Sequence, residues 1–125
     1  MSTCRQETRY LIARHMRING FDVEVRNEDS IIARSTFGEF ELTIMPGNRR
    51  VLISQHSLVY PEYRGKGYGR KYLELRERIA SEAGCNLLLA TVRNDNAVQV
   101  HLLETHGWKR FNNRETGVSL WGKEL

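Results

Sequence analysis

The chain has 125 residues, of which 40% are hydrophobic and 27% are charged, the balance of one globular domain rather than of a disordered segment. Its longest aliphatic run, residues 87–90, is far below the roughly 18 apolar residues of a membrane helix, and its first residues lack the apolar core of a secretory signal. Cys4 and Cys85 form no CxxC pair, which favours reduced thiols in the cytoplasm over a disulfide scaffold or a cysteine zinc site.

The net charge of +4 is concentrated in one segment. Residues 64–78 contain six basic and two acidic side chains, so this segment alone accounts for the excess. Residues 22–41 have the opposite bias, with six acids against two arginines. A local basic patch indicates an anionic partner, which can be nucleic acid, a membrane surface or a phosphorylated cofactor. An ordinary solvated surface explains either patch equally well.

The first half of the chain predicts one helix followed by four strands. Apolar residues recur at helical spacing over 6–18, and Asn19-Gly20 supplies a stop signal. The spacing then changes to alternation, as expected for strands with one wet face. The predicted strands cover residues 21–26, 30–35, 39–44 and 50–60. The last of these ends before Pro61, which cannot donate to a strand ladder.

The second half alternates helices and strands. Residues 64–69, which we call the glycine loop, open a helix that runs to about Ala83 and carries an apolar stripe. A strand over 86–92, a helix over 96–106 and short strands over 108–112 and 118–123 follow. This order predicts a mixed α/β (α+β) fold with a largely antiparallel sheet, helices on both of its sides and a short N-terminal region.

The glycine loop has the composition of a phosphate-binding device. Glycines allow close approach of the backbone, successive N–H groups can face an anion, and the helix N-terminus adds partial positive charge. The pattern GxxxxGK[ST] is absent. The pattern GxGxxG also fails, because Arg70 occupies the position of its third glycine. The loop therefore predicts a phosphate ligand other than those of the P-loop and Rossmann folds.

The spacing that the loop does have is R-x-x-G-x-G, at Arg64, Gly67 and Gly69. With the preceding V-Y-P-E-Y-R of residues 59–64, it resembles the GNAT (GCN5-related) N-acetyltransferase superfamily. A later helix is similar to that family's N-x-x-A-x-x-L-Y-E-x-x-G-F pattern at Asn96, Leu102, Glu104 and Gly107-Trp108. The resemblance covers about residues 50–112. It implies a single GNAT-like acyl-CoA-binding domain over 1–125, with acetyl-CoA as the acyl donor.

The resemblance also implies a cofactor site. In the family, free backbone groups on the strand before the loop pair with the pantetheine arm, the loop holds the pyrophosphate, and an asparagine contacts the arm. The matching residues here are Ser57, Leu58, Val59, Arg64, Gly65, Lys66, Gly67, Tyr68, Gly69, Arg70 and Asn96. Asn96 also suits a helix N-cap, and both roles can hold together.

The catalytic groups depart from the family pattern. Leu103 occupies the position of the tyrosine that protonates the leaving thiolate, so another donor serves, the thiolate leaves unaided, or catalysis is weak or absent. The family's base positions correspond to Ile53, Gln55 and Thr91. His56 is of the residue type that most often acts as a general base, but strict alternation points it to the opposite face unless a bulge turns it. We therefore take His56 and Gln55 as the catalytic candidates.

Three functions remain open. The first is an N-acyltransferase that moves an acetyl group from acetyl-CoA to a primary amine of a protein or polyamine-like acceptor by direct attack, its cleft open or completed in a homodimer. The second is a weak or inactive CoA-binding or interaction module. The third is a nucleic-acid-binding or base-modifying protein on the same fold, although DNA readers need base-reaching side chains as well as phosphate contacts. No membrane partner is expected, and the five-residue separation of His101 and His106 gives no shared helix face for a metal.

Overall fold

The computed structural model describes residues 2–111 and 117–125, with side chains from Arg5 onward. The helices are α1 (Ser2–Ile18), α2 (Tyr68–Glu82) and α3 (Ala97–Thr105), with a 3-10 turn at Pro61–Tyr63. The strands are β1 (Asp22–Val25), β2 (Ser30–Arg34), β3 (Gly38–Met45), β4 (Asn48–Val59), β5 (Leu87–Arg93), β6 (Lys109–Arg110) and β7 (Val118–Glu124). Each predicted helix and strand is present, while the predicted strand end at Asn112 and the side chain of Cys4 lie outside the described part.

The strands within the described residues form one sheet in the order β1-β2-β3-β4-β5-β7-β6. Among these described strands, only the central pair, β4 and β5, runs parallel, and the other neighbouring strands are antiparallel. The prediction of a mixed, largely antiparallel sheet is therefore confirmed. The parallel pair is the part of the sheet that builds the candidate site.

The helices of the described residues pack on one face of the sheet, so the expectation of helices on both sides is wrong. Helices α1 and α2 contact each other and the sheet. Helix α3 lies beside α2, where His106 Nε2 is 3.3 Å from Glu74 Oε1. The physical reason is the strand order. The connections β4–α2–β5 and β5–α3–β6 advance in the same direction across the sheet, and right-handed crossovers then place both helices on the same face.

The core lies between these helices and the sheet. Its fully buried members include Ile12 and Met16 from α1, Leu73 and Ile79 from α2, and Phe40, Leu52 and Leu88 from the sheet. Each such side chain contributes about 1.5–3 kcal/mol on burial. Within the described part of the chain, no helix is both long and apolar enough to span a lipid bilayer.

Candidate active site

Strands β4 and β5 separate at the centre of the sheet. Their parallel ladder pairs Val51 with Leu87 at one end and Ser54 with Ala90 at the other. Beyond that point β4 continues to Val59 and β5 to Arg93, each still paired with its outer neighbour. The inner edges of the two strands therefore diverge and leave a gap in which main-chain groups can pair with an extended ligand.

A cavity of about 250 Å³ opens at this gap. It is lined by residues of β4, α2, β5 and α3. The sequence-predicted residues Gln55, His56, Ser57 and Asn96 all line it, as does Leu103. The fold thus brings together residues from opposite ends of the predicted βαβα segment.

The glycine loop has the backbone that its sequence suggests. Gly65 and Gly67 have positive φ angles of 77° and 86°, which L side chains rarely adopt, and Gly67 is the N-cap of α2. Gly69 has no positive φ, and a Cβ added there would meet nothing within 4 Å. The backbone alone does not require a glycine at position 69. Open space over the first turn of a helix fits a phosphate group that approaches the main chain.

An aromatic cluster of Phe37, Tyr63, Tyr68 and Tyr72 flanks the glycine loop, which itself contributes Tyr68. The rings of Phe37 and Tyr68 stack with centroids 4.4 Å apart, and Tyr63 meets Phe37 edge-on at 4.9 Å. Lys66 places its ammonium 5.8 Å from the Tyr63 ring centroid. Arg64 Nε donates to the Val59 carbonyl at 3.1 Å. These contacts fix the loop to the end of β4, the strand whose residues 54–57 line the cavity.

A β-bulge in β4 decides where His56 points. Leu42 pairs with Ser54 and Glu41 pairs with His56, so Gln55 is an extra residue between two consecutive pairs. Gln55 accepts a hydrogen bond from Thr43, which lies on the sheet face away from the helices because its neighbours Leu42 and Ile44 are fully buried in the core. His56 follows onto that same face.

His56 belongs to a short polar network on this open face. Its Nε2 atom lies 3.2 Å from a carboxylate oxygen of Glu39, and Tyr60 donates its hydroxyl to the other oxygen at 2.8 Å. The hydrogen bond to Glu39 holds the pKa of Tyr60 above its usual value. A carboxylate that holds an imidazole in place is an arrangement suited to proton transfer.

The remaining predicted positions have plain structural roles. Asn96 caps α3, since its side-chain oxygen accepts from the Gln99 N–H at 3.2 Å. Leu103 is fully buried, and Thr91 is exposed on the cavity rim. Leu58 and Val59 are half-buried and pair with Glu39 and Gly38 of β3.

Sequence reasoning missed two residues of the site, Glu39 and Arg76. Glu39 reaches His56 only through the pairing of β3 with β4, which leaves no local signal. Arg76 lines the cavity and is only 3% exposed. It had a signal in the sequence, because it lies four residues after Tyr72 on the apolar stripe of its helix.

Comparison with known proteins agrees with this geometry. The family model described as the acetyltransferase (GNAT) family matches residues 11–108. No curated protein matches the chain in sequence at a significant level. Solved structures with the same fold are known.

Three of these structures illustrate the likeness, and at their low identities it concerns the fold alone. The IAA acetyltransferase of Bacillus cereus ATCC 14579 is 19% identical over 77% of each chain, with a TM-score of 0.64. A Bacillus subtilis acetyltransferase in complex with CoA is 15% identical over 77% of this chain and 76% of its own, with a TM-score of 0.62. The PaiA N-acetyltransferase of Thermoplasma acidophilum, in complex with coenzyme A, is 20% identical over 77% of this chain and 60% of its own, with a TM-score of 0.63.

Proposed function

The chain belongs to the acetyltransferase (GNAT) family and is an N-acyltransferase of that type, and we propose that it transfers an acetyl group from acetyl-CoA to a primary amine. The observation that carries this proposal is the position of the glycine loop at the end of β4, directly after the stretch of that strand that no longer pairs with β5. A ligand with a phosphate end and an extended amide-rich arm fits this arrangement, because the phosphate would bind at the glycine loop and the arm would bind in the gap between the strands. Residues 1–125 act as one acyl-CoA-binding unit in this proposal, in a cytoplasmic protein.

The loop would hold the pyrophosphate of the donor. Gly65 to Arg70 offer main-chain N–H groups, the N-terminus of α2, and the side chains of Lys66 and Arg70. Arg70 pairs with Glu74 at 3.4 Å, and both side chains are exposed, so the guanidinium can turn to a phosphate at little cost. These residues supply attraction and position, and take no part in bond making.

The gap would hold the pantetheine arm. Main-chain groups of Ser57, Leu58 and Val59 lie along β4 after its ladder with β5 has ended. Asn96, at the start of α3, faces the same cavity, and its amide N–H groups can donate to the arm while its oxygen caps the helix. An arm bound in this way extends the sheet and places its thioester at the cavity.

Transfer would proceed by direct attack. The amine nitrogen bonds to the thioester carbon, the C–S bond breaks, and the sulfur leaves with the electron pair. The amine must be neutral to attack, and we assign its deprotonation to His56, held by Glu39, with Gln55 orienting the acceptor. N–H groups at the strand gap polarise the carbonyl. As the amide forms, the attacking nitrogen loses its extra proton, and because Leu103 has no proton to give, this proton reaches the thiolate through water.

The acceptor would approach the open face that carries His56 and Glu39. Among the described residues, α1 is the element before β1 and packs on the other face with α2, so the face with His56 is uncovered there. An uncovered face suits a protein amine or polyamine better than a small acceptor enclosed on all sides. A homodimer would complete the cleft from the partner's surface.

A titration and a rate measurement together test the proposal. Isothermal calorimetry with acetyl-CoA should give micromolar binding that Arg64→Ala and Gly67→Asp weaken at least tenfold in folded protein. A thiol-release assay over protein, peptide and polyamine acceptors should then find a turnover that His56→Ala reduces about 100-fold. Gln55→Ala should raise KM more than it lowers kcat.

The matched control is His101→Ala, because His101 is an exposed histidine on α3. It should leave turnover unchanged. Binding of acetyl-CoA without thiol release from any acceptor would favour an inactive CoA-binding module, for which the buried Leu103 is the structural argument. No binding by folded protein would refute the acyl-CoA site itself.

A further inference from the structure

Arg76 is a buried cation without a described counterpart. Its side chain projects from α2 and is 3% exposed, and among the described residues Nε and Nη1 have no hydrogen-bond partner. The guanidinium carbon lies 5.7 Å from the Phe40 ring centroid, a contact that satisfies no N–H group. Buried arginine N–H groups nearly always have hydrogen-bond partners, because a buried donor without one has lost its hydrogen bonds to water and gained none in return.

The acidic neighbour of Arg76, Glu77, makes its hydrogen bonds to other residues. Glu77 accepts hydrogen bonds from Lys123 and from Trp108 Nε1. Burial lowers the pKa of Arg76 to about 10, which still leaves the side chain charged at neutral pH. The protein therefore maintains a buried positive charge whose Nε and Nη1 groups are hydrogen-bonded to no described carboxylate.

The cavity that Arg76 lines has the character of an anion site. Its other polar lining residues include Ser54, His56, Arg93, Asn96 and Gln99, and none of the described lining residues is an aspartate or glutamate. Arg93 is paired with Asp95 at 2.9 Å on the exposed rim, which leaves Arg76 as the interior cation. A planar guanidinium matches a carboxylate, with two parallel N–H donors for two oxygens.

We propose that this cavity binds a carboxylate on Arg76, carried by the transferred acyl chain or by the acceptor. The inference rests on the proposed function, because the cavity lies where β4 and β5 part and hence where the thioester would lie. A dicarboxylic acyl group, such as succinyl, would place its far carboxylate against the guanidinium. An amino-acid acceptor would place its α-carboxylate there instead. Either source makes Arg76 a specificity residue.

Binding measurements distinguish the two sources. Calorimetry compares acetyl-CoA with succinyl-CoA on the wild type, on Arg76→Met and on the control Arg78→Met, an exposed arginine of the same helix. If the acyl chain carries the carboxylate, the wild type and Arg78→Met should bind succinyl-CoA at least tenfold more tightly than acetyl-CoA. Arg76→Met should lose that preference. If the acceptor carries the carboxylate, the wild type and Arg78→Met should bind amino acids more tightly than the corresponding amino-acid amides, and Arg76→Met should not.

A CoA-independent arm separates this inference from the proposed function. Free succinate or acetate should raise the thermal unfolding midpoint of the wild type and of Arg78→Met, but not of Arg76→Met. Failure of CoA itself to bind would refute the acyl-CoA proposal while this arm still tests the carboxylate site. The inference is overturned if Arg76→Met folds and changes neither the ligand preferences nor the response to free carboxylates.

Discussion

Arg76 lies on the buried stripe of α2, between Tyr72 and Ile79, where packing favours an apolar side chain. An unpaired buried charge costs stability, and well-packed apolar replacements of buried charges are often neutral or stabilising. We therefore predict that Arg76→Met stabilises the unliganded protein by about 1–3 kcal/mol. Urea unfolding at pH 7, with Arg78→Met as control, measures this. A less stable Arg76→Met would mean that the guanidinium supports the fold.

The stability difference between Arg76→Met and the wild type should depend on pH in a definite direction. Burial lowers the pKa of Arg76 to about 10, so the folded protein loses this proton before the unfolded chain does. The penalty is therefore fully present below pH 10 and shrinks as the pH rises above it. The advantage of Arg76→Met in unfolding free energy should narrow between pH 10 and 11.

Tyr60 gives a second prediction at this scale. Its hydroxyl donates to Glu39, and this bond raises its pKa in the folded state. A raised pKa means that the stabilisation is fully present below pH 10 and is lost as the pH rises through the folded value. Tyr60→Phe should cost about 1 kcal/mol at pH 7 and less above pH 10. Urea unfolding from pH 7 to 11 checks this, and a pH-independent difference would contradict it.

Some residues of the site can be predicted from the sequence and others cannot. Arg64, Gly67 and Gly69 are local in the chain, so their spacing predicts the loop. The orientation of His56 depends on a bulge, and a bulge is set by pairing with β3 rather than by the sequence of β4 alone. Glu39 reaches His56 across strands, and only the folded register shows this contact.

At the scale of the element, the boundaries of helices and strands follow from local chemistry. The predicted end of the first helix at Ile18 and the β4 end at Pro61 agree with the structure to within a residue or two. The side of the sheet on which α3 packs does not follow from its own sequence. It depends on strand order, in which β7 inserts between β5 and β6, and such long-range pairing has no local signature.

The two glycines at the start of α2 serve different purposes, one for the backbone conformation and one for ligand binding. Gly67 needs its left-handed backbone, whereas Gly69 has ordinary helical geometry and open space above it. We predict that Gly69→Ala folds normally and gains about 0.5 kcal/mol from helix propensity. Its affinity for CoA should nevertheless fall at least tenfold, because the added methyl group occupies the space for the phosphate.

Thermal unfolding and calorimetry on the same protein measure the two effects of Gly69→Ala. The comparison variant is Gly67→Ala, which should lose stability through backbone strain. A Gly69→Ala protein that binds CoA as the wild type does would show that the phosphate lies elsewhere.

At the scale of the whole molecule, the two charged segments differ in how far they are neutralised. In the acidic segment Glu24 pairs with Arg34, Asp29 with Arg5, and Glu41 with Arg26. The fourth, Glu39, is held by His56 and Tyr60. Four of the six acidic side chains of this segment are thus paired within the protein, which reduces the attraction that the segment could exert on a cationic acceptor.

The basic segment keeps more of its charge for a ligand. Its loop cations Arg64 and Lys66 contact a carbonyl and an aromatic ring rather than carboxylates. Arg76, deeper in the fold, has no described carboxylate partner. A positive field centred on the glycine loop should attract anionic ligands over a distance of about one Debye length, roughly 10 Å at 0.1 M salt.

We therefore predict that the affinity for CoA depends on salt through the loop. Raising KCl from 50 to 500 mM should weaken binding about tenfold or more, because screening removes most of the attraction between exposed charges. Lys66→Gln should weaken binding at low salt and flatten this dependence, since it removes one exposed cation from the loop. Arg14→Gln, which removes an exposed cation of α1, should leave both unchanged. Calorimetric titrations at four salt concentrations measure the slope. An affinity that is independent of salt would mean that hydrogen bonds to the main chain hold the phosphate and that the basic segment serves another purpose.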